Sequence, residues 1–515
     1  MSHLPYWFND ALGKVTSPIG LPQDQARMIF SLFAAIPLGS LHSILPRSPL
    51  LKHVYSFLTG LFIAWFVVGH PAFYVLLGSV AIYFLAYVLP RRTMPFIVTF
   101  ILVLLLSLAH LHRLYYHYLG WEMDVSLILM IFVVKASTFA FNWADGQALN
   151  HNEQLHAKPH IHQHRADRAL LKFPSLIEYL SYIWYFGGVL VGPCFEMKEY
   201  LDFTDFTLFR QFGLTSIPST IIPALRQVGV ALLCYPFVYI HSLYPIIGYV
   251  NTPAYAALPF LQRFTYFWIT MTCSRFKYYF AWYLSAGGCI SSGLGLSAVH
   301  PDPIDKSLTR YKWDRCSNVD AVKVELATSM PQITNYWNMG INNWLKHYIY
   351  FRIDPPRSVT RLIPTKSLAN VVTKLTSAFW HGFYPAYYLF FLGAYIVNEM
   401  DDALRGHLQP RMQSGGVRLL YNGLAWFLLF ASMNMLGMAF MLLKLEWSLE
   451  FWATFYYAVF WVPLIVIGVC KIALPVKRKD GGKRHATDAA NGKGEVSNGN
   501  GAASVAAGAG VKKEL

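Results

Sequence analysis

The chain has 515 residues, of which 55% are hydrophobic and only 13% are charged. Soluble domains carry about 25% charged residues, so this composition excludes a water-facing globular enzyme and indicates a membrane protein. The net charge of +15 is scattered between apolar segments, which argues against a nucleic-acid-binding protein. The six cysteines form no CxxC motif, so we expect free thiols in apolar surroundings rather than a disulfide framework.

Long apolar segments alternate with polar connections along most of the chain. An apolar segment of about 20 residues crosses a hydrocarbon core of about 30 Å, and it must be helical because lipid offers the backbone no hydrogen-bond partners. The sequence therefore predicts an all-α polytopic transmembrane bundle of about ten or eleven spans. The spans are predicted near residues 27–46, 54–70, 71–89, 94–113, 125–142, 176–192, 226–248, 264–298, 370–397, 417–443 and 450–474. The segment at 264–298 is too long and too interrupted to predict one simple helix.

The domain organisation follows from the two ends of the chain. The start, MSHLPYWFND, lacks the basic region and the cleavage site of a signal peptide, so we expect an N-terminal segment at 1–24 and a first span that acts as a signal anchor. One membrane domain is predicted at 25–475. The remainder, 476–515, is rich in Gly, Ala, Asn and Lys and is typical of a disordered tail.

Charges near the C-terminus predict its location. Bases from Lys477 to Arg484 follow the last span, and such clusters mark the cytosolic side of a membrane. The final residues, Lys512-Lys513-Glu514-Leu515, resemble a dilysine retrieval signal, which requires a cytosolic end. We therefore expect a multi-pass protein of the endoplasmic reticulum membrane with a cytosolic C-terminus.

Two polar segments resemble functional sites at first, but their own residues favour a structural reading. The loop His151–Arg168 holds five of the 18 histidines, but it has no Cys and no regular ligand spacing, so a solvated loop is favoured over a zinc site. The stretch His300–Asp305 matches an HxxxxD pattern, but its two prolines favour a turn.

Two other segments carry stronger candidates. His381 lies inside the uncharged run SAFWHGFYPAYYLFF, and an ionisable group in the membrane indicates function by default; the alternative is a core histidine bonded to a neighbouring helix. The segment WNMGINNWLKHYIYFR carries Asn338 and Asn342, which would share a face of one helix because they are four residues apart. The alternative there is amide bonding between helices.

Together, these two segments resemble the signature of the membrane-bound O-acyltransferase family: WN-x(5)-WL-x-x-Y-x-Y, followed by SA-x-WHG-x-YP-x-YY. Within this family, the chain most resembles the plant and algal lysophosphatidylcholine acyltransferases. The resemblance covers residues 25–475 or so. Further matching stretches are FNWADG (141–146), PSLIEY (174–179), GPCFEMKEYL (192–201), KYYFAW (277–282) and KWDRCSNVDAVKVELATS (312–329).

The resemblance implies direct acyl transfer in an intramembrane reaction chamber, from acyl-CoA to the free sn-2 hydroxyl of lysophosphatidylcholine and other lysophospholipids. It places the catalytic histidine at His381 and the catalytic asparagine at Asn338. Sterol and diacylglycerol acyltransferases of the wider family carry an FYxDWWN-type motif, which this chain lacks. Further residues in the matching segments are expected to contact substrate: Asn342, Trp337, Trp344, Trp380 and Glu325.

The implied chemistry suits these residue types. A lysolipid hydroxyl needs a base, and a neutral imidazole has a suitable pKa. The thioester carbonyl oxygen gains charge during attack, so the Asn338 amide is expected either to stabilise that charge or to orient His381 or the substrate. No metal or bound cofactor is expected, since acyl-CoA is a co-substrate; the expected partners are acyl-CoA, a lysophospholipid and the bilayer, without nucleic acid.

Two alternatives remain open at this stage. One is an acyltransferase of the same family that modifies another alcohol or a protein. The other is a multi-pass transporter, although the sequence shows no internal repeat of the kind that transporters usually carry.

Overall fold

The computed structural model describes Leu4 and residues 6–302, 309–355, 357–361 and 363–474. The described residues all lie in one compact unit. Apart from one two-stranded hairpin, the regular structure of these residues is helical, so the predicted all-α class is confirmed. The basic cluster after the last span and the C-terminal lysine pair lie outside the described residues.

The described residues form 22 α-helices, eleven up to residue 243 and eleven from residue 253 onward. The first set is α1 (Tyr6–Thr16), α2 (Gln23–Ile44), α3 (Pro49–Val68), α4 (Pro71–Val88), α5 (Met94–Tyr116), α6 (Val125–Asn150), α7 (Pro159–Arg168), α8 (Leu176–Ile183), α9 (Met197–Thr204), α10 (Thr207–Arg210) and α11 (Ile221–Leu243). The second set is α12 (Pro253–Ala256), α13 (Phe260–Ser292), α14 (Ala321–Glu325), α15 (Met330–Tyr336), α16 (Met339–Trp344), α17 (Arg357–Thr360), α18 (Thr365–His381), α19 (Pro385–Ala403), α20 (Gly415–Leu442), α21 (Leu445–Ala453) and α22 (Ala458–Ala473).

Shorter elements join these helices. Single 3-10 turns occur at Ser17–Ile19, Tyr350–Arg352 and Gln409–Arg411, and π-helical turns occur at Leu345–Ile349 and Leu404–Leu408. Strand β1 (Ala298–Pro301) pairs antiparallel with β2 (Thr309–Lys312), with Val299 opposite Tyr311. His300 of the HxxxxD match therefore lies in a strand, and the end of that match lies outside the described residues.

Local sequence signals set several helix boundaries. α3 begins at Pro49 and α4 at Pro71, because proline fits a first turn whose N–H has no partner within the helix. Asp124 caps α6 by accepting a hydrogen bond from the Ser126 amide at 2.9 Å. α3 ends at Val68, and the next residue, Gly69, has a φ of 77°, a positive value that favours glycine.

Seven described helices are long and apolar enough to cross a membrane, or up to eight if the bent pair α21–α22 counts as one span. The seven are α2, α3, α4, α5, α6, α11 and α20. α6 is the central helix, because 83% of its apolar window is buried inside the protein, compared with 17% for α11. The chain is therefore a multi-pass membrane protein, with fewer simple spans than the sequence predicts.

Breaks inside two predicted spans explain part of the difference. In the 176–192 segment, only α8 is helical, and the carbonyls at its end accept hydrogen bonds from the buried Lys135 ammonium: 2.6 Å to Tyr182 and 3.3 Å to Ile183. A buried cation thus satisfies backbone groups that an unwound chain would otherwise leave unpaired. The 370–397 segment is two helices, α18 and α19, which are separated at Gly382.

The 264–298 segment is not one helix from end to end, as predicted, because α13 ends at Ser292 and a left-handed Gly293 follows. However, α13 is longer and less interrupted than the prediction implied: it runs for 33 residues from Phe260 without a break. Arg275, which interrupts the apolar pattern, pairs with Glu325 at 2.7 Å and donates to the Asn434 side-chain oxygen at 2.6 Å. Because its charge is satisfied by other segments, the helix continues through this position.

The buried apolar side chains form two large clusters that meet near α18. One cluster includes α3 to α6 and α8, together with Trp344, Tyr348 and Trp380. The other is built mainly from α19 to α22. Trp380, which precedes His381 at the end of α18, belongs to the first cluster, and Ala386 at the start of α19 belongs to the second.

Candidate active site

His381 is the last residue of α18, at a helix break inside the membrane body. The next residue, Gly382, has a φ of 131°, which an L side chain rarely adopts. A Cβ at that position would also lie 3.4 Å from the Nδ1 atom of His110. Pro385 then starts α19. The sequence WHG-x-YP is therefore a helix end, a turn that needs glycine, and a new helix start.

The His381 imidazole lies in an aromatic enclosure. Its ring centroid is 4.9 Å from Phe440, 5.4 Å from Phe391 and 5.7 Å from Tyr387. The side chain is half-buried, and no described residue hydrogen-bonds to either of its ring nitrogens. This ring is therefore held by packing, and its nitrogens are available to a ligand.

His110 is a positioning residue that the sequence analysis missed. It is buried on α5, and its Nε2 atom donates to the Trp380 carbonyl oxygen at 3.1 Å. That bond fixes the backbone directly before His381. His110 and Trp380 are 270 positions apart in sequence, so no local motif connects them. The only sequence signal for His110 was that it is an ionisable residue in an apolar span.

The predicted amide, Asn338, does not lie in a helix. It precedes α16 as its N-terminal cap residue, with a left-handed backbone at φ 45°. Asn342 lies within α16. The prediction that the two share one helix face is therefore corrected: the chain turns at Asn338, and asparagine is one of the few non-glycine residues that tolerate this conformation.

Asn318 holds that turn in place and was also missed from the sequence. Its side-chain amide donates to the Asn338 Oδ1 atom at 3.0 Å, and its own Oδ1 atom accepts from the Gly340 amide at 2.9 Å. Its backbone oxygen accepts from the Met339 amide at 2.9 Å. With the Asn338 Oδ1 atom engaged in this way, the Asn338 NH₂ group is the end that can donate to a ligand.

Two tryptophans tie both motif segments to the central helix α6. The Trp380 indole donates to the Met130 carbonyl oxygen at 3.0 Å, and the Trp344 indole donates to the Ser137 hydroxyl at 3.0 Å. The two anchor positions are seven residues apart, which is about 10 Å along a helix axis. The structure therefore brings the WN and WHG segments, which are distant in sequence, onto the same side of one rigid helix.

Two of the remaining predicted site residues, Trp337 and Glu325, lie against α13. Trp337 makes edge contacts with Tyr278 and Trp282 at centroid distances of 5.6 and 5.0 Å. Glu325 is engaged in the ion pair with α13 described above, so its carboxylate already has a protein partner. Asn342 is half-buried.

Other matching stretches meet in one buried polar network. Asn142 of FNWADG donates to Glu196 of GPCFEMKEYL at 2.8 Å, and the Tyr348 hydroxyl lies within 3.0 Å of both side chains. Burial raises the pKa of the Glu196 carboxyl to about 7, an effect that the nearby Arg168 charge opposes. Arg352 pairs with Asp145 through two hydrogen bonds. This network fixes the segment after α16 to the end of α6.

Within the described ranges, no group of three or more His, Cys, Asp or Glu side chains is placed to hold a metal ion. The histidine-rich loop includes α7, whose His164 ring stacks on His347 at 3.4 Å between centroids. Burial and the neighbouring Arg and Lys charges lower the pKa of His164 to about 3, so this histidine stays neutral at physiological pH.

Comparison with known proteins identifies the family. A model of MBOAT, the membrane-bound O-acyltransferase family, matches residues 82–442. A lysophospholipid acyltransferase of Schizosaccharomyces pombe is 29% identical over 470 residues, which cover 88% of this chain and 87% of that protein. Lysophospholipid acyltransferase 2 of Arabidopsis thaliana is 29% identical over 483 residues, which cover 90% and 97%.

A human relative, membrane-bound glycerophospholipid O-acyltransferase 2, is 27% identical over 488 residues, which cover 91% of this chain and 88% of that protein. The family match contains the central helix α6 and both motif segments, from FNWADG to WHG-x-YP. The resemblance that the sequence motifs indicated is thus confirmed, and this chain belongs to the membrane-bound O-acyltransferase family.

Proposed function

We propose that this protein transfers an acyl chain from acyl-CoA to the sn-2 hydroxyl of lysophosphatidylcholine, and to other lysophospholipids more weakly. The relatives' names supply the substrate class, because they are lysophospholipid and glycerophospholipid acyltransferases that align with most of this chain. The structural observation that carries the proposal is His381, an imidazole without a hydrogen-bonding partner among the described residues, enclosed by aromatic rings at a helix break.

In the proposed reaction, a ring nitrogen of His381 accepts the proton of the lysolipid hydroxyl as its oxygen attacks the thioester carbonyl carbon. The Asn338 NH₂ group donates to the carbonyl oxygen as negative charge develops there. The carbon–sulfur bond then breaks, and the proton on His381 passes to the departing CoA sulfur. The new ester bond replaces the thioester, and no covalent enzyme intermediate is needed because the thioester is already activated.

The substrate proposal has a direct test. Membranes that contain the expressed protein are given labelled oleoyl-CoA with lysophosphatidylcholine, other lysophospholipids, diacylglycerol or a sterol. We expect labelled phosphatidylcholine as the main product, and phospholipase A2 should release the label because that enzyme cleaves the sn-2 ester. Membranes with the His381→Ala variant are the matched control. Strong acylation of a sterol or diacylglycerol, with none of any lysolipid, would contradict the proposal.

We also propose that the C-terminus is cytosolic, in the endoplasmic reticulum membrane. The short connections that join α2 to α6 alternate between the two faces of the bundle. Those at 45–48 and 89–93 carry Arg47, Arg91 and Arg92, whereas those at 69–70 and 117–124 carry no Lys or Arg. Lys and Arg accumulate on the cytosolic side of membrane proteins, which supports a cytosolic position for the first pair.

The end of α22 is assigned to that same face. The Leu119 amide donates to the Tyr384 hydroxyl at 2.8 Å, which puts the start of α19 beside the connection at 117–124. α19 then runs for 19 residues, or about 28 Å, toward the opposite face. There the His407 ring donates to the Leu474 carbonyl oxygen at 2.6 Å.

This topology predicts that protease added to sealed microsomes removes a tag fused to the C-terminus. Replacing Lys512 and Lys513 with Ser should also let part of the protein leave the endoplasmic reticulum, as measured by imaging or glycan processing of a reporter. Replacing Lys493 with Ser, in the same tail, is the control and should leave the location unchanged. A tag that the protease spares would show that the proposed topology is inverted.

A further inference from the structure

A cavity of about 460 Å³ opens at one face of the membrane domain, away from His381. It lies where α2 ends and where α3 and α11 begin, and all three helices are candidate membrane spans. The ends of spans mark the level of lipid head groups. Arg47 belongs to this cavity, so the cavity lies on the face that carries the basic connections.

Two cations line the cavity without a carboxylate partner. Lys52 is 1% exposed, and the charge that acts on it most closely is the like charge of Arg47. Both lie over the ring of Phe206, with the Arg47 guanidinium 4.6 Å and the Lys52 ammonium 5.9 Å from its centroid. No Asp or Glu is among the described residues that line this cavity, and no described carboxylate pairs with Lys52. Arg47 also donates to the Thr215 carbonyl oxygen, but an anion in the cavity would add the charge of opposite sign that neither cation has among the described residues.

The rest of the cavity wall offers donors of the kind that bind phosphate. Ser216 and Ser219 line it with hydroxyl groups that donate to no described acceptor. The residue before α11, Thr220, makes no side-chain cap; its hydroxyl instead donates to the Ser291 carbonyl oxygen at 3.1 Å. The amides of Ile221 and Ile222 at the start of this 23-residue helix therefore lack a side-chain cap, and uncapped amides at a helix start favour an anion.

The rim of the cavity indicates where the anion comes from. Ile44 and Ile221 line the opening and are 77% and 64% exposed. Because they end and begin membrane spans, these side chains face acyl chains rather than water. A soluble phosphate would make no contact with this apolar rim. A glycerophospholipid can place its phosphate in the cavity and its acyl chains against the rim.

We propose that this cavity binds the phosphate of an anionic glycerophospholipid, held by Arg47, Lys52 and the serine hydroxyls, at a site separate from the one that contains His381. Anionic lipids are concentrated in the cytosolic leaflet, which matches the face proposed above. The site would sense or anchor the surrounding bilayer rather than supply the acyl acceptor.

Binding to purified full-length protein tests the proposal without an activity assay. Thermal unfolding in detergent is followed by tryptophan fluorescence as dioleoylphosphatidic acid, dioleoylphosphatidylcholine, inorganic phosphate or free CoA is titrated. We expect phosphatidic acid to raise Tm in a saturable way and the other three to have little effect. Arg47→Gln and Lys52→Met should each raise the half-saturating concentration by about tenfold or more, since each removes a charge-assisted contact.

Arg92→Gln is the matched control, because Arg92 is exposed on the same face and outside the cavity. It should bind phosphatidic acid as the unmodified protein does. Lys52→Met removes a buried charge, and Arg47→Gln changes an exposed side chain, so a folding failure of the first variant leaves the second as the test. The proposal would be overturned if phosphatidylcholine, phosphate or CoA raised Tm as much as phosphatidic acid does. It would also be overturned if Arg92→Gln weakened phosphatidic acid binding as much as the cavity variants do.

Discussion

His381→Ala should lower turnover by about 10²–10⁴-fold, which is the usual contribution of a positioned general base. The ring lies at a helix end between aromatic side chains, and no described residue occupies its nitrogens, so its removal takes away the proposed proton acceptor. Initial rates with oleoyl-CoA and lysophosphatidylcholine, divided by the amount of folded protein from size-exclusion fluorescence, measure the effect. His381→Gln should be similarly impaired, because an amide is polar but is not a base at neutral pH.

The matched control for this substitution is His112→Ala. His112 lies on α5 near His110, but it is exposed and contacts Tyr116 and His117. Its loss should leave turnover within about twofold, as expected for an exposed position far from the chemistry. Normal turnover in well-folded His381→Ala protein would overturn the proposed mechanism, whatever family the chain belongs to.

The sequence singled out His381 for a physical reason, but it did not predict the helix break at that residue. An ionisable residue in an uncharged run indicates function because burial of such a group is costly. The stop and start signals were present in Gly382 and Pro385. They were outweighed by the mainly apolar run at 370–397, in which glycine and proline are tolerated when neighbouring helices satisfy the backbone.

Contacts between residues that are far apart in sequence explain the structural features that the sequence did not predict. The segment 264–298 looked too interrupted for one simple helix, and the structure shows that the charged Arg275 in its middle has partners elsewhere in the fold. Its partners, Glu325 and Asn434, come from α14 and α20. His110 and Asn318 were missed for the same reason: each acts on a motif residue through a bond formed only in the folded chain.

Asn338 shows the limit of helical periodicity as an argument. A spacing of four residues predicts a shared face only if both residues are helical. Here the chain turns at Asn338, and the bonds that hold the turn come from Asn318, twenty residues upstream. The sequence could identify the residue through the family resemblance. It could not predict the left-handed backbone, which decides how this position must be mutated.

Asn338→Asp should lower turnover by about 10²–10³-fold, which is the usual cost of losing one donor to a developing oxyanion. Aspartate tolerates the left-handed backbone as asparagine does, and its carboxylate can still accept the hydrogen bond from Asn318. The change therefore replaces only the NH₂ donor, and it places negative charge where the reaction develops negative charge. Asn338→Gly is the second variant, because glycine adopts this φ without strain and removes the amide altogether.

Asn338→Ala is a poorer test, because a left-handed alanine costs about 1–2 kcal/mol and could unfold the turn. Asn342→Asp is the matched control: it is the same substitution, one helical turn into α16, at a residue expected to contact substrate but not to donate to the developing oxyanion, so it should lower turnover less. If His381 and Asn338 act in one transition state, the double variant His381→Ala/Asn338→Gly should be far less impaired than the product of the single effects. Near-normal turnover in Asn338→Gly protein would remove the amide from the mechanism. If Asn342→Asp protein lost turnover while the Asn338 variants kept it, the donor would instead lie inside the helix, one turn from the position proposed here.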